Sequence, residues 1–142
     1  MLLRPELADG FAYLRKQTLQ LASKGRFLAA QFIALLEGDL WHQNAAHANA
    51  MAARLAGALA GAPGVKIVAP VQANSVFAVI APTATEILQR DWSFYVWDPA
   101  SGAVRWMCSW DTTADEVDAF AQDIRNACET VSAQGTATLG PG

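Results

Sequence analysis

Arg105 stands in Val104-Arg105-Trp106-Met107-Cys108-Ser109-Trp110, an apolar run that reads as a strand. Period-two alternation puts Val104, Trp106, Cys108 and Trp110 on one face and Arg105, Met107 and Ser109 on the other. A guanidinium in such a run needs a partner or an exit to water. Its planar fork suits a carboxylate held by two parallel hydrogen bonds. The competing explanation is an arginine on an edge strand, spent in a surface salt bridge.

The other candidates are more ordinary. Arg15, Lys16, Lys24 and Arg26 form a basic cluster that could meet a phosphate or could simply be a solvated helix face. His42 and His47 do not share a helix face at their spacing, so they read as polar-face residues rather than metal ligands. The acidic stretch from Asp111 to Asp118 is explained by helix capping and the helix dipole. Asp91 and Asp98 read as turn residues. Cys108 and Cys128, the two cysteines, make no paired-ligand spacing, so no zinc site is expected. Gly-rich phosphate loops, nucleophile elbows and HExxH motifs do not occur.

The elements that must position Arg105 follow from periodicity. Pro5 to about Leu21 reads as a helix with Pro5 in its first turn and Phe11, Leu14 and Thr18 at helical spacing. Ser23-Lys24-Gly25 breaks it. Arg26 to Glu37 reads as a second helix, apolar on nearly every side from Phe27 to Leu36, and such a helix wants cover all round. Gly38 ends it. Asp39 then caps a long Ala-rich helix to about Ala60, with Leu40, Ala48, Met51, Leu55 and Leu59 as its buried stripe. Beyond the stop at Gly61-Ala-Pro-Gly64 the period becomes strand-like: Val65 to Val68, Ser75 to Ile80, Trp92 to Trp97 and Val104 to Ser109. Thr83-Ala-Thr-Glu86 and Thr113-Ala-Asp-Glu116 are capping-box patterns, opening a short helix to about Gln89 and a long one to about Val131. Asp98-Pro-Ala-Ser-Gly102 is a turn between two strands. The order predicts an α/β (α+β) sandwich, a mostly antiparallel sheet of about four strands packed with helices.

Composition narrows the function. The chain has 142 residues, is 53% hydrophobic and only 16% charged, and carries a net charge of −3. A chain that apolar, and this short, has surface meant for another domain or subunit. With no basic stripe, nucleic acid is not an expected partner. The longest apolar stretch is too short to cross a bilayer, the N-terminus has no signal-peptide pattern, and two isolated cysteines fit a reducing, cytoplasmic setting.

An ordered set of stretches carries a family likeness. Arg15-Lys16-Gln17 is followed by Ser23-Lys24-Gly25-Arg26 and Ala29-Ala30-Gln31; then come His47-Ala48-Asn49-Ala50-Met51-Ala52 with Leu55, and Pro70 to Phe77 with Asn74. Phe94-Tyr95-Val96-Trp97 and Val104 to Thr113 complete the set. Running from about Leu3 to Arg125, it resembles the threonine aldolases and related β-eliminating lyases of pyridoxal phosphate (PLP) fold type I. Gly25 departs from the family's usual methionine.

The resemblance implies a small C-terminal α/β domain over residues 39–131, preceded by linking helices over 1–38 and followed by a flexible tail over 132–142. It implies PLP as cofactor and a β-hydroxy-α-amino acid of the threonine type as substrate, cleaved to glycine and an aldehyde. Arg105 would hold the substrate α-carboxylate, while Lys16 and Arg26 would line the site near the cofactor. In that family the Schiff-base lysine, the ring stacked on the cofactor and the aspartate on its pyridine nitrogen lie ahead of the matched segment. None of Lys16, Lys24 and Lys66 stands in that lysine's motif. The expectation is a C-terminal part with no catalytic residue of its own, inactive alone, whose partner is a large domain or a further copy in a homo-oligomer. The alternative is a non-catalytic dimerisation or interaction domain that keeps the fold.

Overall fold

Backbone turns at glycines divide the first part of the chain. The structure, a computed structural model, describes residues 4–18 and 22–137, which fall into two units, 1–41 and 42–142. In the first unit a short 3-10 helix, Pro5–Ala8, carries proline in its first turn. Gly10 then takes φ +70°, and its carbonyl accepts the amides of Tyr13 and Leu14. Helix α1, Phe11–Thr18, starts there. The single helix expected from Pro5 is thus cut in two, because Asp9-Gly10 supplies a left-handed turn that glycine takes without strain; its expected last turn, 19–21, lies outside the described residues. Helix α2, Gly25–Leu36, closes at Gly38 with φ +69° and a Glu37 amide bonded to the Ile33 carbonyl. Neither helix buries a residue.

The second unit owns the core. Helix α3, Leu40–Ala58, buries Ala48, Ala52 and Leu55. Leu59 follows them into the core, whereas Leu40, expected in the stripe, is exposed and Met51 is half-buried. Strands β1 (Lys66–Ile67), β2 (Ser75–Val79), β3 (Tyr95–Asp98) and β4 (Ala103–Met107) form one sheet in the order β1-β2-β4-β3. Every pairing is antiparallel. Helix α4, Pro82–Leu88, lies between β2 and β3 in sequence, and α5, Ala114–Ala137, ends the described chain.

Alternation in the strands sets the layers. Val76 and Ala78 of β2 and Val104 and Trp106 of β4 are buried with Leu55 and Leu59, Ala84 and Leu88 of α4, and Val117, Ala121 and Ile124 of α5. Helices therefore cover one face of the sheet, which stabilises at roughly 25 cal/mol per Å² of apolar area removed from water. Thr113 and Glu116 form the expected capping box at the start of α5: Glu116 Oε2 accepts the Thr113 amide at 2.7 Å and Thr113 Oγ1 accepts the Glu116 amide at 3.2 Å. The other expected box does not form. Pro82 takes the first turn of α4 with Ala81 as its cap and no side-chain capping bond, so Thr83 is already inside the helix. Helix α5 also runs past Val131 into the stretch expected to be a tail. Thr130 Oγ1 and Ser132 Oγ donate to the carbonyls of Asn126 and Cys128 one turn back, so these polar side chains are satisfied within the helix.

Candidate functional site

Strand β4 lies between β2 and β3, so Arg105 is on a central strand and not on an edge. Its cross-strand neighbours are Phe77 on β2 and Tyr95 on β3. Directly opposed residues share a face, so Ser75, Phe77, Tyr95, Arg105 and Met107 lie on the face away from the helices. Trp97 joins them at a bulge, where Val96 pairs with Val104 but Asp98, rather than Trp97, pairs with Ala103. There the Trp97 ring lies 5.3 Å from Phe77, edge-on at 72°.

The guanidinium of Arg105 is half-buried in this frame. Its carbon lies 5.8 Å from the Phe77 ring centre and 5.5 Å from that of Trp97, both within cation–π range. Nε and Nη2 each donate to Ser75 Oγ at 3.2 Å, and Nη2 lies 3.4 Å from Met107 Sδ. Among the described residues Arg105 has no carboxylate partner; the ion pair present joins Arg54 to Asp118. The surface salt bridge weighed from sequence is therefore absent, as is the edge position. A hollow of about 210 Å³ adjoins Arg105, walled also by Ser93, Phe94, Tyr95 and Met107.

Asn74 latches this arrangement. Its side-chain amide donates to the Cys108 carbonyl and its own carbonyl accepts the Cys108 amide, both at 2.8 Å. That closes the ladder just beyond Ser75 and fixes Ser75 opposite Met107. Behind the strand, Trp106 meets Phe94 and Phe120 edge-on, and its indole nitrogen is a buried donor without a hydrogen-bond partner among the described residues. A second hollow, of about 260 Å³, is walled by Trp106, Cys108, Val117 and Phe120. Asp111 and Glu116 also line it, which disfavours an anion there.

The remaining candidates resolve as follows. Lys16 sits in the last turn of α1 and Arg26 in the first turn of α2, both exposed, with the Arg26 guanidinium 5.8 Å above the Phe27 ring. They belong to the first unit and Arg105 to the second. His47 Nε2 lies 2.7 Å from the Thr112 carbonyl, a tie from α3 to the turn before α5. No cluster of metal-ligating side chains occurs among the described residues. Asp98 closes its turn by accepting from the Ser101 hydroxyl and the Ala100 amide, which together hold its carboxyl below the usual range. Burial pushes the thiols of Cys108 and Cys128 up, so neither is an activated nucleophile. The sequence reading missed Ser75, Phe77 and Trp97 as the surroundings of Arg105. The available signal was their shared period-two face, but only strand order places β2 and β3 beside β4.

No protein-family model matches the chain. The low specificity L-threonine aldolase of Pseudomonas aeruginosa is 47% identical over 121 residues, covering 84% of this chain and 35% of that protein. The enzyme of the same name from a Pseudomonas sp. strain is 46% identical over the same shares. A solved structure of Leishmania major threonine aldolase superposes with a TM-score of 0.73 at 29% identity, over 87% of this chain and 36% of that one. The chain spans about a third of the length of the curated relatives it matches, 35% in each case.

Proposed function

We propose, from the premise that this chain is related to the threonine aldolases and fits their C-terminal portion, that it forms the substrate-carboxylate side of a PLP-dependent lyase. The reaction would cleave a β-hydroxy-α-amino acid of the threonine type to glycine and an aldehyde. The observation that carries this reading is Arg105: a cation on a central strand, framed by two aromatic rings and a hydroxyl, with no carboxylate of its own among the described residues.

Each unit carries cations with a chemistry of its own. Arg105 fits a carboxylate. Lys16 and Arg26 of the first unit are exposed cations, the kind of group that would line a cofactor's phosphate. The three lysines, Lys16, Lys24 and Lys66, are all exposed. When bound, PLP supplies the sink for the electron pair released as the carbon–carbon bond breaks. The part of this chain is to bind and orient: Arg105 fixes the carboxylate, and fixing it sets which bond at Cα stands ready to break. Turnover by these residues alone is not expected, because the matched stretch covers only 35% of the relatives' length.

A chimera tests this. The matched stretch of the Pseudomonas aeruginosa aldolase is replaced by the corresponding stretch of this chain, and acetaldehyde release from L-threonine is followed. The chimera should turn over, and Arg105→Ala within it should raise KM for L-threonine by more than about tenfold, since a charge-assisted pair is lost. An unchanged KM would sink the assignment of Arg105.

The exposed apolar surface of α1 and α2 favours a second reading, an interaction domain that keeps the fold without the chemistry. Phe27, Phe32, Ile33 and Leu36 are between 59% and 65% exposed. A well-defined homodimer with no PLP affinity in light scattering and dialysis would favour it.

A further inference from the structure

The guanidinium of Arg105 has two edges that can grip a carboxylate. One is the side edge, formed by Nε and Nη2; the other is the end fork, formed by the two terminal nitrogens. The side edge is already taken, because Ser75 Oγ accepts from both Nε and Nη2 at 3.2 Å. Two rings fix the plane, with Phe77 and Trp97 centred 5.8 and 5.5 Å from the guanidinium carbon and packed edge-on against each other. Nη2, which belongs to the end fork as well, also donates to Met107 Sδ at 3.4 Å. A thioether is a weak, neutral acceptor, and Met107 is 61% exposed, so it is readily displaced. The hollow walled by Ser93, Tyr95 and Met107 lies alongside Arg105.

We propose that Ser75 is a positioning residue for substrate: it fills the side edge of Arg105 and, with Phe77 and Trp97 holding the plane, presents the end fork to the substrate carboxylate. This rests on the reading of Arg105 as the carboxylate residue and adds how that residue is aimed. Serine suits the role. Its hydroxyl oxygen has the lone pairs to accept both bonds and carries no charge, so it orients the cation without neutralising it. A carboxylate at position 75 would instead form the bidentate pair itself and close the site. The Asn74 latch holds Ser75 in place by pinning β2 to β4 at Cys108.

The test uses NMR of the arginine side chain in the 142-residue chain, titrated with L-threonine up to about 0.5 M, the range that an attraction near 1 kcal/mol requires, with L-threoninamide as the probe that lacks a carboxylate. In the wild type, the Arg105 signals should shift with L-threonine and not with the amide, and rotation about the Cζ–Nε bond should be slow. Ser75→Ala should speed that rotation and weaken L-threonine binding by about fivefold, the effect of one hydrogen bond, with the strand pairing seen in amide shifts unchanged. Ser75→Thr, which keeps the hydroxyl, should restore both. If Ser75→Ala binds as tightly as wild type while Arg105→Ala loses binding, the positioning role is overturned and the carboxylate reading stands. If Arg105→Ala binds L-threonine as well as wild type, or wild type shows no carboxylate-dependent shift at Arg105, both fall together.

Discussion

Replacing Arg105 by alanine should cost little stability, and the size of the cost separates a substrate residue from a structural one. The structure sets the magnitude. Two of the guanidinium's three hydrogen bonds go to one oxygen, Ser75 Oγ, at a long 3.2 Å, and the third goes to the weak acceptor Met107 Sδ at 3.4 Å. Together they count as about one bond to a charged group in a half-exposed place, roughly 1 kcal/mol. Two rings share the cation at 5.8 and 5.5 Å, which adds about 1 kcal/mol at a partly exposed site. No ion pair is broken among the described residues, so no buried counter-charge is stranded. Arg105→Ala should therefore destabilise by about 1–2 kcal/mol, against the 5–15 kcal/mol that holds a typical domain. Urea unfolding followed by far-UV circular dichroism reads this directly, with the slope unchanged if compactness is unchanged. A loss above about 4 kcal/mol would mean that Arg105 is a keystone of the fold, and the case for it as a ligand-binding cation would fail on that result.

Three further perturbations have equally defined outcomes. Gly64→Ala should cost about 2–4 kcal/mol in urea melts: Gly64 has φ +77°, where a side chain is strained by about 1–2 kcal/mol, and a Cβ there would stand 3.1 Å from Cys128 Cβ. Adding Cys128→Ala leaves that Cβ contact in place while removing the sulfur 3.5 Å away, so the double mutant should recover little, and full recovery would contradict the backbone explanation. Thr113→Ala removes the acceptor of the Glu116 amide and should lower thermal stability by about 1 kcal/mol, whereas Thr83→Ala, at a box that does not form, should leave it nearly unchanged. Acid should weaken the fold. The carboxyl of Asp118 is held low by its hydrogen bond from Arg54, and that of Glu116 by its bonds from Thr113. Their folded pKa values lie below the unfolded ones near about 4, so what they contribute is present above pH about 4 and fades as pH falls through the folded values. A urea midpoint that stays flat down to pH about 3 would contradict this, and so would an acid limb that Asp118→Asn leaves unaltered.

Much of the fold was legible because its signals are local. The switch from helical to alternating periodicity after Gly64 separates the helices from the sheet, and Thr113-Ala-Asp-Glu116 opens α5 as its spacing implies. Local signals also collide. Asp9-Gly10 cut a helix that the spacing of Phe11, Leu14 and Thr18 ran together with Pro5, and Pro82 displaced the cap that Thr83 and Glu86 mimic. The surroundings of Arg105 were out of reach for a different reason. Alternation assigns Arg105 to a face, and it assigns Phe77 to a face of another strand. Which strands adjoin is a long-range matter: β2 meets β4 across residues 75 and 107, with α4 and β3 between them in sequence. Alternation already puts Trp97 on the face of Tyr95, but the bulge beside it is a property of pairing and leaves no mark in the run Tyr95-Val96-Trp97.

The two faces of the sheet divide the labour. The inner face, with Val76, Ala78, Val104 and Trp106, is sealed by helices and makes the core. The outer face carries a cation among rings that the described residues leave open: Tyr95 is 76% exposed, Trp97 59% and Met107 61%. In water such a cation binds a carboxylate weakly, because the attraction at about 4 Å is near 1 kcal/mol in bulk solvent. The same pair gains several-fold once a cover excludes water, provided the donors are already aimed and need no reorganisation. Aromatic neighbours serve both conditions, since they fix the guanidinium plane and offer an apolar rim for a cover to seal against. An aimed but uncovered cation is thus the expected state of this unit when it stands alone. Affinity for the carboxylate should rise, with Arg105 itself unmoved, when that face is closed.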